Sequence, residues 1–304
     1  MQLIVCFGLI EGIVEYFDNI VLEPWLHLKP EYLTHEFISG NKWRKLKYNI
    51  KEAKSKDFKT LLTFGGAFSN HIAAVAYAGH VFGFKTIGVI RGEELESKEL
   101  NETLSFAKAN GMKFKFVSRE DYKRRFDSLL PELEEEFEEF YHIPEGGTNS
   151  LAIKGCEEIL NSKDSHYDYI CCCVGTGGTI SGIINNSNSN QTVLGFPALK
   201  GDFLQKDIIK FAKNSNWELV TDYNFGGYAK VNSDLISFIN EFKLKYKIPL
   251  DPIYTGKMMY GVFKLKEQGF FNENDKVLVI HTGGLQGIKG MNSILERKKL
   301  PLII

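Results

Sequence analysis

The chain has 304 residues, 43% of them hydrophobic, enough to bury the core of one large α/β domain or two smaller ones. Basic and acidic side chains balance at 37 against 38, for a net charge of -1. That balance removes the general electrostatic reason to expect nucleic acid or an anionic membrane as a partner, while leaving room for a local basic pocket holding one small anion.

The N-terminal stretch MQLIVCFGLIEGIVEYF is apolar, but it lacks a basic leader and is interrupted by Glu11, so it reads poorly as a signal peptide. No run reaches the length of a membrane span, and a cytoplasmic protein is the expectation. Residues 39–46 read Ser-Gly-Asn-Lys-Trp-Arg-Lys-Leu, which puts Lys42 and Lys45 on one helix face. A solvated basic helix is the ordinary reading of such a run. A nucleophilic lysine would instead need burial or nearby cations to lower its pKa, and Arg44 and Lys45 are available.

Residues 59–64 read as a buried strand broken by Gly65 and Gly66, followed by a helix over 70–84 and a strand over 86–90. A helix over 99–110 ends at Gly111, and a strand follows over 113–117. Residues 131–140 carry six glutamates with Leu133, Phe137 and Phe140 at helical spacing, an amphipathic surface helix. Further strands fall at 169–174, 193–197 and 276–281, and residues 185–190 form a polar loop. Of the five cysteines, Cys6 and Cys156 stand apart, while Cys171, Cys172 and Cys173 lie in one apolar strand. There they alternate faces as small buried side chains rather than a metal cage, and no metal site is expected. An odd count with no disulfide framework suits a reducing compartment.

This alternation predicts an α/β protein with mostly parallel twisted sheets covered by helices. Residues 64–144 would form a smaller inserted α/β domain, and residues 1–63 with 145–304 the larger one, leaving a cleft between them.

Ligands in parallel sheets bind beyond the carboxyl ends of strands, which directs attention to four loops. In Gly65-Gly66-Ala67-Phe68-Ser69-Asn70-His71 a helix starts, and either Ser69 or Asn70 caps it or its free N–H groups take a carboxylate. In Gly175-Thr176-Gly177-Gly178-Thr179 three glycines free backbone N–H groups for an anion, and two hydroxyls add donors. A plain tight turn is the competing reading, since neither a Walker loop nor a complete dinucleotide fingerprint is present. The loops 281–284 (His-Thr-Gly-Gly) and 251–257 (Asp-Pro-Ile-Tyr-Thr-Gly-Lys) complete the set.

Taken in order, and together with residues 143–149 (Ile-Pro-Glu-Gly-Gly-Thr-Asn), these segments resemble the 1-aminocyclopropane-1-carboxylate (ACC) deaminase and D-cysteine desulfhydrase family. The resemblance covers about residues 28–284. It implies the type II fold of pyridoxal-phosphate enzymes, with pyridoxal 5'-phosphate in the cleft between two domains, and a homodimer. It implies that Lys42 is the Schiff-base lysine and carrier of the α-proton, and that Lys45 contacts the cofactor phosphate. Gly175, Thr176, Gly177, Gly178 and Thr179 would be the backbone cradle. Asn70 would bond the phenolic oxygen, and Tyr254 would pack on the ring. Tyr228 would be a second active-site tyrosine, and Thr282 a hydroxyl partner of the ring nitrogen. Ser69, Asn70 and His71 would hold the substrate carboxylate, with Ser69 also among the catalytic residues.

The chain departs from the family at Lys29-Pro30-Glu31, where Lys-Arg-Glu-Asp is usual. It has Thr255 where deaminases carry glutamate, and His71 where they carry glutamine. Both differences point to β-elimination from a small amino acid, D-cysteine first, rather than cyclopropane ring opening. Thr255 and Thr282 would offer the ring nitrogen only hydroxyls, a weaker electron sink that suffices when a good leaving group departs. The alternatives are an ACC deaminase, a nicotinamide-dependent oxidoreductase using the glycine loop, and a non-catalytic cofactor-binding protein.

Overall fold

The computed structural model describes residues 13–124, 128–199 and 203–304; Cys6 and most of the apolar N-terminal stretch lie outside the described residues. In chain order the strands are β1 (Ile20–Glu23), β2 (Leu26–Lys29), β3 (Thr60–Gly65), β4 (Lys85–Arg91), β5 (Met112–Val117), β6 (Tyr141–Ile143), β7 (Tyr169–Val174), β8 (Thr192–Pro197), β9 (Trp217–Leu219) and β10 (Val277–Ile280). The helices are α1 (Asn41–Ser55), α2 (Asn70–Phe82), α3 (Glu102–Ala109), α4 (Arg119–Lys123), α5 (Leu130–Phe137), α6 (Ser150–Glu157), α7 (Gly178–Asn186), α8 (Phe203–Ile209), α9 (Ser233–Tyr246), α10 (Thr255–Glu267) and α11 (Gly287–Arg297).

Two sheets result, a larger one in the order β1-β2-β10-β7-β8-β9 and a smaller one in the order β5-β4-β3-β6. Every pairing is parallel except the β1–β2 hairpin. The fold is thus α/β, with parallel sheets covered by helices. Strands buried on both faces are continuous apolar runs. In β7, Cys171 and Cys173 pack into one hydrophobic cluster, and Cys172 into another on the opposite face.

β3 pairs along its whole length with β4 and partly with β6, so a boundary at residues 63/64 would cut it. Helix α1 belongs to the same cluster: Trp43, Leu46, Ile50 and Ala53 pack with Leu61, Ile72 and Val75. Its other side meets α6. A Cβ at Gly155 would lie 1.8 Å from the Arg44 carbonyl oxygen, so only glycine lets the two backbones cross so closely. Helix α5 starts with Pro131 in its first turn and buries Leu133. It ends at Phe137, three residues earlier than its apolar spacing predicts. Among the described residues no helix is long and apolar enough to cross a membrane.

Candidate active site

The carboxyl ends of β3, β7 and β10 and the amino ends of α1, α2, α7 and α10 bring the four loops together. Lys42 sits in the first turn of α1. The preceding Gly40 has φ 62°, and a Cβ there would lie 1.9 Å from the Thr282 carbonyl oxygen. The Asn41 N–H donates to that same oxygen (3.3 Å), which seats the start of α1 on the β10–α11 loop. Lys42 Nζ donates to Asn41 Oδ1 (2.8 Å), and Asn41 Nδ2 donates to Thr179 Oγ1 (2.7 Å). Burial, with the Lys45 ammonium second, pulls the Lys42 pKa down to about 8.

Lys45 lies one turn on, 3% exposed. Its Nζ donates to the Gly146 carbonyl (2.8 Å) and Thr148 Oγ1 (3.3 Å), and Thr176 Oγ1 stands at 3.5 Å. It makes no salt bridge among the described residues, and burial lowers its pKa. The glycine loop closes over it. Gly177 has φ 82°, and a Cβ at Gly178 would lie 2.8 Å from Thr148 Oγ1 and 3.2 Å from Lys45 Nζ. The N–H groups of Thr176, Gly177, Gly178 and Thr179 have no backbone acceptor among the described residues. They sit at the amino end of α7, beside a buried cation lacking an anion.

In α2, the Ser69 hydroxyl caps the helix by accepting from the Ile72 N–H (3.3 Å). The N–H groups of Asn70 and His71 keep no partner among the described residues, so capping and anion binding do not compete for the same donors. The His71 imidazole faces the wall, 2% exposed. Thr63 Oγ1 donates to the Ile143 carbonyl (2.8 Å) and therefore accepts from His71 Nε2–H at 3.0 Å. Burial, then the charges of Lys42 and Lys45, hold His71 well below its usual pKa, and the neutral ring leaves Nδ1 as an unpartnered acceptor. Burial thus disfavours a cationic imidazole, and the free backbone N–H is the donor that His71 offers.

Tyr254 precedes α10 with its ring against Gly175, where a Cβ would approach to 3.3 Å. Tyr228 meets it edge-on, ring centroids 6.2 Å apart. Burial, with the neighbouring Tyr228 and the Asp251 carboxylate, raises the Tyr254 pKa well above 10.

Thr255 requires a correction. It is fully buried, and its hydroxyl donates to Asp251 Oδ2 (2.6 Å) and accepts from the Asp251 N–H (2.9 Å). No hydrogen is left for a ring nitrogen. Asp251 also accepts from the N–H groups of Ile253, Tyr254 and Thr255, so it caps α10 and fixes Tyr254. Thr282 Oγ1, by contrast, is bonded to the thiol of Cys173 (3.1 Å). The glycine after next also matters: a Cβ at Gly284 would lie 3.0 Å from Asn70 Nδ2.

Lys42, Lys45, the glycine loop, Tyr254, Tyr228, Thr282 and the amino end of α2 thus come together at the carboxyl ends of the strands. Sequence reasoning assigned no role to Asn41, Thr148, Cys173 or Asp251. Asn41 and Thr148 stood inside quoted motifs, and Asp251 four residues before Thr255 was a readable capping signal. Nothing local marked Cys173.

The residues fit pyridoxal phosphate. A lone buried cation, free N–H groups and three hydroxyls suit a phosphate. The missing Cβ at Gly175 lets the Tyr254 ring approach the same loop, and Lys42, of lowered pKa, is tied to that loop through Asn41 and Thr179.

Comparison with known proteins agrees. Residues 15–283 match the family model described as pyridoxal-phosphate dependent enzyme. A Thermotoga maritima protein, provisionally named a 1-aminocyclopropane-1-carboxylate deaminase, is 34% identical over 286 residues, covering 86% of this chain and 89% of that one. An Arabidopsis thaliana protein named bifunctional D-cysteine desulfhydrase/1-aminocyclopropane-1-carboxylate deaminase, mitochondrial, is 31% identical over 293 residues, covering 86% and 73%. A crystal structure described as an ACC deaminase homologue superposes with a TM-score of 0.77 at 28% identity, covering 89% of each chain. The nicotinamide-dependent alternative is set aside, and the chain belongs to the pyridoxal-phosphate-dependent enzymes, as a lyase of the ACC deaminase and D-cysteine desulfhydrase type.

Proposed function

We propose that this lyase eliminates thiolate from D-cysteine, giving pyruvate, sulfide and ammonia with the uptake of one water. The observation that carries the reading is the state of the acids around Tyr254. Thr255 has no carboxylate, its hydroxyl is consumed by Asp251, and both Asp251 oxygens are occupied by donors. The remaining hydroxyl, on Thr282, is shared with a thiol. Such groups do not hold a proton on a ring nitrogen as a free carboxylate would.

When bound, pyridoxal phosphate supplies the electron sink that makes the α-proton of an amino acid acidic. A weaker sink favours substrates whose leaving group departs readily, as thiolate does. In this reading Lys42 Nζ holds the cofactor and then takes the α-proton. Asn41 orients Nζ. Lys45, Thr148, Thr176 and the N–H groups of 176–179 hold the phosphate. Asn70 bonds the cofactor, and Ser69 with the N–H groups of Asn70 and His71 receives the substrate carboxylate. Tyr254 and Tyr228 wall the opposite side. The smaller sheet and its helices form the inserted domain, and the chain works as a cytoplasmic homodimer.

Ring opening of the cyclopropane amino acid is the second reading, since the Arabidopsis relative's name carries both activities. Steady-state rates decide between them. Sulfide release from D-cysteine should exceed 2-oxobutanoate release from the cyclopropane substrate; efficient turnover of the latter with little sulfide would overturn the reading.

A further inference from the structure

Lys257 ends the segment 251–257 and has no place in the reading above. Its side chain is 2% exposed and makes no salt bridge among the described residues. Nζ donates instead to two carbonyls, of Gly227 (2.7 Å) and Asn224 (2.9 Å). Burial lowers its pKa to about 8. A buried ammonium facing only carbonyl dipoles is unfavourable unless those dipoles are held for it, or it for them.

The carbonyls belong to a tight turn. Phe225, Gly226, Gly227 and Ala229 have φ of 54°, 92°, 115° and 55°. Two of these are not glycine, so the backbone there is strained and needs support. Part of that support is local: the Gly227 N–H donates to the Asn224 carbonyl (3.0 Å), and the Gly226 N–H to Asn224 Oδ1 (2.9 Å). The rest comes from Lys257, on a different element. The residue displayed by this turn is Tyr228, 40% exposed, whose ring meets that of Tyr254 edge-on and whose hydroxyl lies in the field of Arg91, at the end of β4, and of Glu145, just after β6. Tyr254 opens the helix that carries Lys257, so one end of α10 sets both tyrosines.

We propose that Lys257 is a positioning residue that clamps the 224–227 turn and thereby fixes Tyr228 against Tyr254 at the mouth of the cleft. The proposal rests on reading Tyr228 as a wall of the substrate site. Its test uses the holoenzyme. In Lys257→Met, which keeps length and removes the donors, amide exchange over residues 224–230 should quicken by about tenfold or more, with exchange in the two sheets unchanged. kcat/KM should fall about tenfold, and adding Tyr228→Ala should cost little beyond either single change, because the two act on one feature. Should Lys257→Met fail to fold, Lys257→Gln, which keeps a polar end but is too short to span both carbonyls, should give a weaker form of the same signature. Unchanged exchange in whichever variant folds would overturn the clamp, whatever the substrate. Effects of Lys257 and Tyr228 that simply multiply would overturn the link to Tyr228. An inert Tyr228→Ala would instead fail the reading of the site, and with it that link.

Discussion

Arg44 and Lys45 are consecutive residues of α1, equally buried, and treated in opposite ways. Arg44 is 1% exposed and forms a two-pronged pair with Glu31, at 2.9 and 3.0 Å. Glu15 and Glu158 stand within 4 Å of it. On the larger sheet, Lys29 is matched by Asp164 at 2.7 Å with both side chains buried. Lys45 has only neutral oxygens, and Lys42 has only an amide. Buried charges that serve architecture are neutralised by their own chain. Those left unpaired mark where a ligand brings the missing charge, or where an amine must lose its proton. One helix therefore has a structural face against Glu31 and α6 and an unbalanced face toward the cleft.

The largest effect should come from the unbalanced face. Lys42→Ala should lower turnover by at least about a thousandfold, since it removes both the covalent anchor and the proton carrier. It should also abolish the borohydride-reducible cofactor adduct at position 42, read by peptide mass. Its apo-protein Tm should not fall, because removing a buried ammonium that has no counter-charge offsets the hydrogen bond lost to Asn41 Oδ1. An adduct surviving at that position would break the comparison at its centre.

The paired face should behave in the reverse way. Glu31→Ala strands Arg44 among buried groups and should cost about 3–5 kcal/mol of stability, measured as a lower denaturant midpoint. The protein that remains folded should keep its cofactor absorbance. If stability is unaffected while cofactor binding is lost, Glu31 belongs to the site instead.

Between these extremes lies Lys45. Lys45→Ala should weaken pyridoxal phosphate binding by about 10- to 100-fold, the worth of one or two hydrogen bonds to a charged group, and leave the apo protein as stable as before. Gly178→Val should do the same by pushing a side chain at Thr148 and Lys45 Nζ. A stability loss matching that of Glu31→Ala would mean that Lys45 is architectural.

How much of this could be read from the sequence follows from range. Strands β3, β4, β7, β8 and β10 are largely continuous apolar runs, β5 alternates Lys113 and Lys115 with Phe114 and Phe116, and these patterns place all six within a residue or two. β1, β2, β6 and β9 span three or four residues each and lack such a run, so pairing across the sheet, not local pattern, creates them. At the site, motif residues give the chemistry and tertiary contacts give the occupancy. Thr255 shows a hydroxyl in the sequence, but whether it is free depends on Asp251 and the first turn of α10. Cys173 reaches Thr282 across 109 residues, and Thr148 reaches Thr176 across 28, distances at which no spacing rule operates.

The smallest effect concerns the coupling of Lys42 to Lys45. A neutral amine is what attacks an aldehyde, and the Lys42 pKa is drawn down to about 8 by burial first and by Lys45 second. In the apo protein, covalent capture of pyridoxal, the analogue without phosphate, should rise about tenfold per pH unit below pH 8 and flatten above it. An unperturbed lysine would keep rising until beyond pH 10. Lys45→Met removes a repelling charge and so lets Lys42 hold its proton more tightly. The midpoint should move upward, with capture at pH 7 falling a few-fold and capture at pH 10 unchanged. Using pyridoxal keeps the lost phosphate contact out of the measurement. An unmoved midpoint would mean that burial alone tunes Lys42, and that the unpaired charge of Lys45 acts only on the phosphate.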